Sequence, residues 1–412
     1  MNGIIGKVKE LGSLPMFEAL RYRNYRFLFL SSITSSVGMN MLTVAQGWLV
    51  LELTDSPFSL GLVWATRMAP AFFFGVLAGS VVDRLDRKKL LISVFCIRGF
   101  CALILGILVT TDLVQLWHVL LIALINGSAM VFSLPAQQTF AVDIVSAEGA
   151  MNAISINAVG MRVIGIFGGT AAGLIIRFFG LDWPFYIMTL SCITGILVIA
   201  QIRGVARTGV VEQKSTWNTY IEGLKLVTTN QIVLMVMLIT VVCEILGFSH
   251  MVVLPIFARD VLEVGAVGLG LFSTAASIGG LSGGLALAFL GDYRYKGRLI
   301  LGIFLSFGVF LILFSQSQWF PVSLVFIALI GVTASGMDAV GHTILILSVP
   351  ENQRGRAMGV WMMSIGFGPI GSITIGAVAS AFGAPIAVTI NGALIVMTFF
   401  ILFIFVPQLR RI

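Results

Sequence analysis

Twelve apolar runs, each roughly 18–25 residues long and scarcely interrupted, follow one another along this chain of 412 residues. A run of that length crosses the hydrocarbon core as a helix, whereas a barrel strand needs only about ten residues and alternates. Only 10% of the residues are charged and 58% are hydrophobic, far from the roughly 25% charged of a water-soluble chain. Most of the surface therefore faces lipid, where the backbone must satisfy its own hydrogen bonds. The expected fold class is an all-α membrane protein of twelve transmembrane helices. Hydropathy places them at roughly 26–52, 58–82, 88–110, 115–142, 150–178, 184–203, 231–258, 265–290, 298–316, 320–347, 356–380 and 384–407.

Lysine and arginine set the orientation. Twenty of them fall on one side, in the N-terminal stretch, the loops after helices 2, 6, 8 and 10, and the tail, against Arg177 and Arg259 on the other. The positive-inside rule then puts both termini in the cytoplasm. The stretch 1–25 is polar and basic, without the apolar segment of a signal peptide, and reads as a cytoplasmic arm. The long polar stretch 204–230 reads as a cytoplasmic linker, with a surface helix around Trp217–Val227, between a half at 26–203 and a half at 231–412.

The halves repeat each other. Gly165, Gly168, Gly173 and Gly180 recur 203 residues later as Gly368, Gly371, Gly376 and Gly383. Gly127 and Thr139 recur 204 later as Gly331 and Thr343, and Gly61, Gly75 and Asp83 recur 209 later as Gly270, Gly284 and Asp292. Two six-helix repeats that begin on the same side have parallel topology, the plan in which two halves rock about a midplane site.

The segment Gly79-Ser-Val-Val-Asp83-Arg84-Leu-Asp86-Arg87-Lys88-Lys89 closes the second helix. It resembles motif A of the major facilitator superfamily, with Asp86 where that family usually has glycine. The resemblance implies a gate at the cytoplasmic mouth built from Gly79, Asp83, Arg84, Arg87 and Lys88. Asp83 would meet the N-terminal end of the eleventh helix, whose dipole favours an anion, and Arg87 would bridge Asp83 and Asp143. Asn24-Tyr25-Arg26, Gly47-Trp48-Leu49-Val50, Pro135-Ala136, Asn152-Ala153, Leu254-Pro255-Ile256-Phe257-Ala258-Arg259 and Arg354-Gly355-Arg356-Ala357-Met358 are similar to the branch that contains the enterobactin exporter and related drug exporters. The glycine-rich fifth helix departs from the exporter motif C: it has no Gly-Pro, which appears instead as Gly368-Pro369 in helix 11. The simplest use of Gly165, Gly168, Gly173, Gly368, Gly371 and Gly376 is close, sliding helix contact.

Five charges lie within the apolar runs: Arg67, Arg98, Arg162, Glu244 and Asp338. A charge there costs at least about 2.5 kcal/mol and normally faces a cavity or a partner. By the superfamily resemblance Glu244 and Asp338 face the central cavity, and Arg67 and Arg162 lie near it. Glu244, near the middle of its run, is the leading proton-coupling candidate, because a carboxyl in apolar surroundings can be carried neutral by protonation. Asp338, one helical turn before His342, is the second. Arg67 and Arg162 are candidates for holding an anionic group of the cargo, since arginine presents a planar fork of donors; pairing with Glu244, Asp338 or backbone carbonyls is the competing reading. Arg98 reads as structural, and His118 and His250 as interfacial.

Other function classes find little support. Cys96, Cys101, Cys192 and Cys243 sit in apolar runs without metal-ligand spacing, so no metal site is expected. No G-x-x-x-x-G-K-[ST] run is present, so energy is expected from a proton gradient, with no cofactor. The basic residues form no groove or stripe, which argues against nucleic acid despite a net charge of +7. The three histidines are scattered, which argues against a membrane enzyme. The expectation is a secondary active transporter of the cytoplasmic membrane, monomeric, surrounded by lipid, exporting a small amphipathic molecule such as a drug or siderophore by alternating access. A proton-coupled uptake permease and a non-transporting sensor of the same fold are the alternatives.

Overall fold

The computed structural model describes residues 15–205, 225–291, 293–350 and 353–405, with side chains at all of these except 15–17, 76–77, 79–80, 83, 146–148, 354–356, 359–360 and 362. A short 3-10 turn, Pro15–Arg21, leads into α1 (Arg23–Thr54), α2 (Pro57–Arg84) and α3 (Arg87–Thr110). Then come α4 (Leu116–Val145), α5 (Gly149–Phe179) and α6 (Trp183–Ala200). The second half comprises α7 (Gln231–Val261), α8 (Gly265–Leu290), α9 (Lys296–Ser315) and α10 (Phe320–Leu347). It ends with α11, in two pieces at Arg354–Ile365 and Gly368–Phe382, and α12 (Ala384–Phe405). The described residues contain no strand. Eleven helical stretches among them are long and apolar enough to cross a membrane. The remaining expected span, α2, is a helix of 28 residues, long enough to cross, though not among those eleven. The arm at 1–14 and most of the linker, 206–224, including the expected surface helix from Trp217, lie outside the described residues.

Helix ends follow the local chemistry. Ser56 caps α2, its hydroxyl accepting from the Ser59 N–H at 3.4 Å, and Pro57 fills the first turn where no N–H is needed. Asn230 caps α7, accepting from the N–H groups of Ile232 and Val233 at 3.0 and 3.2 Å. Gly180 and Gly383, one repeat apart, end α5 and α11 with φ of +113° and +88°. Each donates its N–H to the carbonyl four residues back, a conformation that side chains disfavour.

Helical residues follow one another from Leu116 to Phe179, 64 in all, across the junction of α4 and α5. A straight helix of that length would reach about 96 Å. Instead the chain folds back: Leu134 and Met161, as well as Ala141 and Ile154, line one small cavity beside α1. Such mirrored pairs place the reversal near residue 147 and make α4 and α5 antiparallel neighbours.

The internal repeat is realised contact for contact. A Cβ on Gly61 of α2 would strike the Ser372 carbonyl of α11, and one on Gly376 would meet Gly61 and Phe58. In the other half, a Cβ on Gly270 of α8 would strike the Gly169 carbonyl of α5, and one on Gly173 would meet Ala266 and Val267. The two sets correspond residue by residue at the offsets of 209 and 203 read from the sequence. Within the halves, Gly168 faces Asn40 of α1 and Gly371 faces Ile245 of α7. Gly127 of α4 abuts the Arg67 carbonyl, as Gly331 of α10 abuts that of Ala276. Small residues at these crossings let backbones approach, which is how helices associate where lipid supplies no hydrophobic drive.

Both α7 and α11 depart from regular helices. α7 contains π-turns at Cys243–Gly247 and Phe257–Val261, features that favour functional positions. The first leaves carbonyls to be satisfied from outside the helix: Asn391 of α12 donates to Leu246 O at 3.0 Å and to Ser249 Oγ at 2.9 Å. α11 is interrupted at Gly366–Phe367, just before Pro369, which has no N–H to give. Trp117, Trp183 and Trp319, all exposed, mark the ends of α4, α6 and α10 that lie away from the α2–α3 turn, as an interfacial aromatic belt does.

Candidate functional site

Glu244 sits in the first π-turn of α7, 13 residues from the start of the span and 17 from its end, so it lies close to mid-depth. Arg162 has the same place in α5, 13 residues from Gly149 and 17 from Phe179. Asp338 of α10 is within electrostatic range of both Glu244 and Arg162. Arg162 belongs to one half and the two carboxylates to the other. Arg162 reaches across α8: a Cβ on Gly280 would come within 2.6 Å of its Nη1, so only glycine leaves it that path. Among the described residues it has no ion pair within 4 Å, although Arg162 and Asp338 are both exposed inside their spans. A Cβ on Gly368 would stand 3.7 Å from Glu244 Oε2, so the carboxylate looks onto the broken part of α11. Pairing of Arg162 with an acidic residue, the competing reading, does not take the form of a salt bridge within 4 Å among the described residues.

The other two intramembrane arginines are both in the first half, away from any described carboxylate. Arg67 donates to Thr43 Oγ1 and contacts Met39 Sδ, both at 3.3 Å, and lies 5.5 Å over the Trp64 ring. Arg98 is 4% exposed and its Nε has no hydrogen-bond partner.

At the end of the molecule where α2 passes into α3, Arg87 is ion-paired with Asp143, and both side chains are nearly buried. Lys88 donates to the carbonyls of Ala200 and Ile202, at 2.9 and 2.7 Å, and so caps the end of α6. Arg84 is exposed at the last turn of α2. The side chains of Gly79 and Asp83 lie outside those described, and with them the contact expected with α11. Asp86 stands in an extended conformation and caps α3, accepting from the Lys89 N–H at 3.0 Å. The turn therefore needs no glycine, and the departure from the family pattern supplies a cap.

Three of the hydrogen bonds between the halves whose partners are both described lie toward the opposite end. Arg259 donates to Leu51 O and is paired with Asp55, and Phe58 N–H donates to Ser380 Oγ. Nearer mid-depth, Thr170 and Thr274 share a hydroxyl bond at 2.8 Å, and Thr274 also reaches Ile166 O at 2.5 Å. The Arg259 clasp was not anticipated from the sequence, although Arg259 is one of only two basic residues at that end. His250 is also not interfacial: it is 2% exposed, its Nδ1 lying 2.6 Å from Gly247 O.

Residues 15–411 match the family described as transmembrane secretion effector. The chain belongs to this family of the major facilitator superfamily. It is a family of membrane transporters, not enzymes. The chain is 23% identical to the multidrug efflux pump Tap of Mycolicibacterium fortuitum, over 93% of this chain and 96% of Tap. It is 22% identical to the staphyloferrin A transporter of Staphylococcus aureus, over 86% and 88% of the two chains. It is 23% identical to the enterobactin exporter EntS of Salmonella typhimurium, over 94% and 93%. Among solved structures it superposes on the nucleoside transporter NupG with a TM-score of 0.72, at 18% identity and over 92% and 99% of the two chains. A bacterial homologue of the lysosomal transporter Spinster, in an inward-facing conformation, gives 0.70 at 15% identity, over 95% and 96%. These likenesses establish the fold.

Proposed function

We propose that the protein is a proton-coupled exporter of a small amphipathic molecule, working by alternating access in the cytoplasmic membrane. The reading has twelve spans, both termini in the cytoplasm, and a monomer as the working unit. The observation that carries it is the mid-depth group of Arg162, Asp338 and Glu244, shared between the halves and not locked into an ion pair. A carboxylate that is not permanently neutralised can exchange its proton when the halves move. In this reading Glu244 and Asp338 carry the proton, and Arg162 competes with it for Asp338. Arg67 and Arg162 take the acidic or polar end of the cargo.

The same reading treats the molecule as caught facing inward, held together at the outer end by the Arg259–Asp55 clasp and the glycine crossings. The motif around Gly79, Asp83, Arg84, Arg87, Lys88 and Asp143 then closes the cytoplasmic end in the opposite state. Gly165, Gly168, Gly173, Gly368, Gly371 and Gly376 permit the sliding that joins the two. Export, of drugs or siderophores, follows from the names of the relatives: a multidrug efflux pump, a staphyloferrin A transporter and an enterobactin exporter.

The experiment is accumulation of lipophilic dyes and of catecholate siderophores in efflux-deficient bacterial cells, with and without the protein. Lower accumulation that a protonophore abolishes supports the reading. Higher accumulation of any of these compounds on expression would replace it with uptake.

A further inference from the structure

The intramembrane charges are divided by half: Arg67, Arg98 and Arg162 in the first, Glu244 and Asp338 in the second. Arg162 approaches Asp338, but Arg67 and Arg98 have nothing comparable. They lie within electrostatic range of each other, and both are near mid-depth, Arg67 ten residues from the start of α2 and Arg98 eleven from the start of α3. The carboxylates of the first half whose side chains are described are Glu18, Glu52, Asp55, Asp86, Asp112, Asp143 and Asp182, all near helix ends. Asp83, on the same helix as Arg67, is sixteen residues on, about 24 Å along the axis. Two positive charges thus stand in the membrane interior without a counterion among the described residues, an arrangement that favours an anion nearby.

The space beside Arg67 has the chemistry to receive one. Thr43, Gln46, Trp64 and Arg67 line a cavity of about 10 Å³ between α1 and α2, on the scale of a single water. Its polar lining is Thr43, Gln46 and Arg67, set against the apolar Val50, Leu60 and Val63. Gln46 is 5% exposed and its Nε2 has no hydrogen-bond partner. The guanidinium of Arg67 makes only two long contacts, and the Thr43 hydroxyl that accepts from it keeps its own proton to give. Arg98 adds a second guanidinium whose Nε is buried and unpartnered. Unsatisfied buried donors of this number are uncommon, and each carries a desolvation cost that an acceptor would remove.

We propose that Arg67, Gln46 and Thr43 form an enclosed site for a single halide ion inside the first half, separate from the Arg162–Asp338–Glu244 group; Arg98, outside the cavity lining, adds to the positive field. A space on the scale of one water admits one compact ion and not the acid group of a larger cargo. The site goes beyond the cargo-binding reading of Arg67 and does not rest on it. Binding is read without transport, so site and exporter can fail separately.

The full chain, purified in detergent, is unfolded thermally in potassium gluconate and at the same ionic strength in chloride or benzoate. The expected result is a saturating rise of the midpoint with chloride, about 2 °C at tenfold excess over half-saturation, and none with benzoate, which the cavity is too small to admit. Arg67→Gln abolishes the rise and Arg67→Lys keeps part of it. If Arg67→Gln does not fold, Gln46→Leu, which removes one donor, serves instead and weakens the chloride dependence. No rise with chloride, an equal rise with benzoate, or the same rise in Arg67→Gln or Gln46→Leu overturns the proposal.

Discussion

Arg259 at the end of α7 is paired with Asp55, 204 residues earlier in the turn after α1, and donates to the Leu51 carbonyl at 3.2 Å. One side chain of the second half thus clasps two groups of the first, at the end where the Phe58 N–H also donates to Ser380 Oγ. Asp55 is largely exposed, so the ion pair itself is worth at most about 1 kcal/mol. That still corresponds to roughly a fivefold change in the ratio of two conformations. Asp55→Ala is expected to shift the population toward the state open at that end, and Arg259→Ala to shift it further, since it also loses the Leu51 bond. Spin labels on cysteines replacing Leu113 and Trp319, in a background lacking the four native cysteines, should report a longer distance in both variants. An unchanged distribution would show that the clasp does not hold the halves.

The paired glycine crossings give a sharper test of symmetry. Gly61→Val and Gly270→Val each push a side chain into a backbone carbonyl of the other half. Each should lower the thermal stability of the protein in detergent by about 1–3 kcal/mol, the usual cost of overpacking, and by similar amounts. Gly75→Val, where a Cβ meets nothing within 4 Å, should leave stability unchanged.

Asp86→Ala removes the cap of α3 and is expected to cost about 1 kcal/mol of stability. Dye or siderophore export should persist, because the turn is extended and asks nothing special of its residue.

Arg87→Ala leaves the nearly buried Asp143 without this partner, and breaking such a pair costs about 3–5 kcal/mol. The variant should unfold at a markedly lower temperature. The exchange Arg87→Asp with Asp143→Arg should recover part of the loss, which a purely steric role for Arg87 would not allow.

Much of this was legible in the sequence, for a physical reason. A lipid-facing helix must be apolar along its whole length, so α1, α3, α8 and α10 announce themselves within a few residues of their ends. Gly61, Gly173, Gly270 and Gly376 were visible as a repeat because each crossing tolerates only a very small residue, and the contact itself preserves the spacing. The π-turns of α7 were not visible. Val-Val-Cys-Glu-Ile-Leu-Gly reads as ordinary apolar helix, and what permits the wider turn is Asn391, 145 residues from the Leu246 carbonyl it satisfies. The clasp of Arg259 was hidden likewise, since nothing local to either residue specifies a partner in the other half. The cavity between Arg67 and Gln46 depends on what is absent from it, and sequence patterns do not show missing partners.

The Glu244 and Asp338 carboxylates are proposed to couple transport to protons. The direct measurement compares exchange with uphill transport in proteoliposomes, using whichever compound the accumulation assay identifies. Wild-type protein should do both, with uphill movement requiring a pH gradient. Glu244→Gln should retain exchange of labelled for unlabelled cargo, because the neutral side chain stands in for the protonated one, while gradient-driven transport falls to background. Uphill transport at the wild-type rate in both Glu244→Gln and Asp338→Asn would contradict the account.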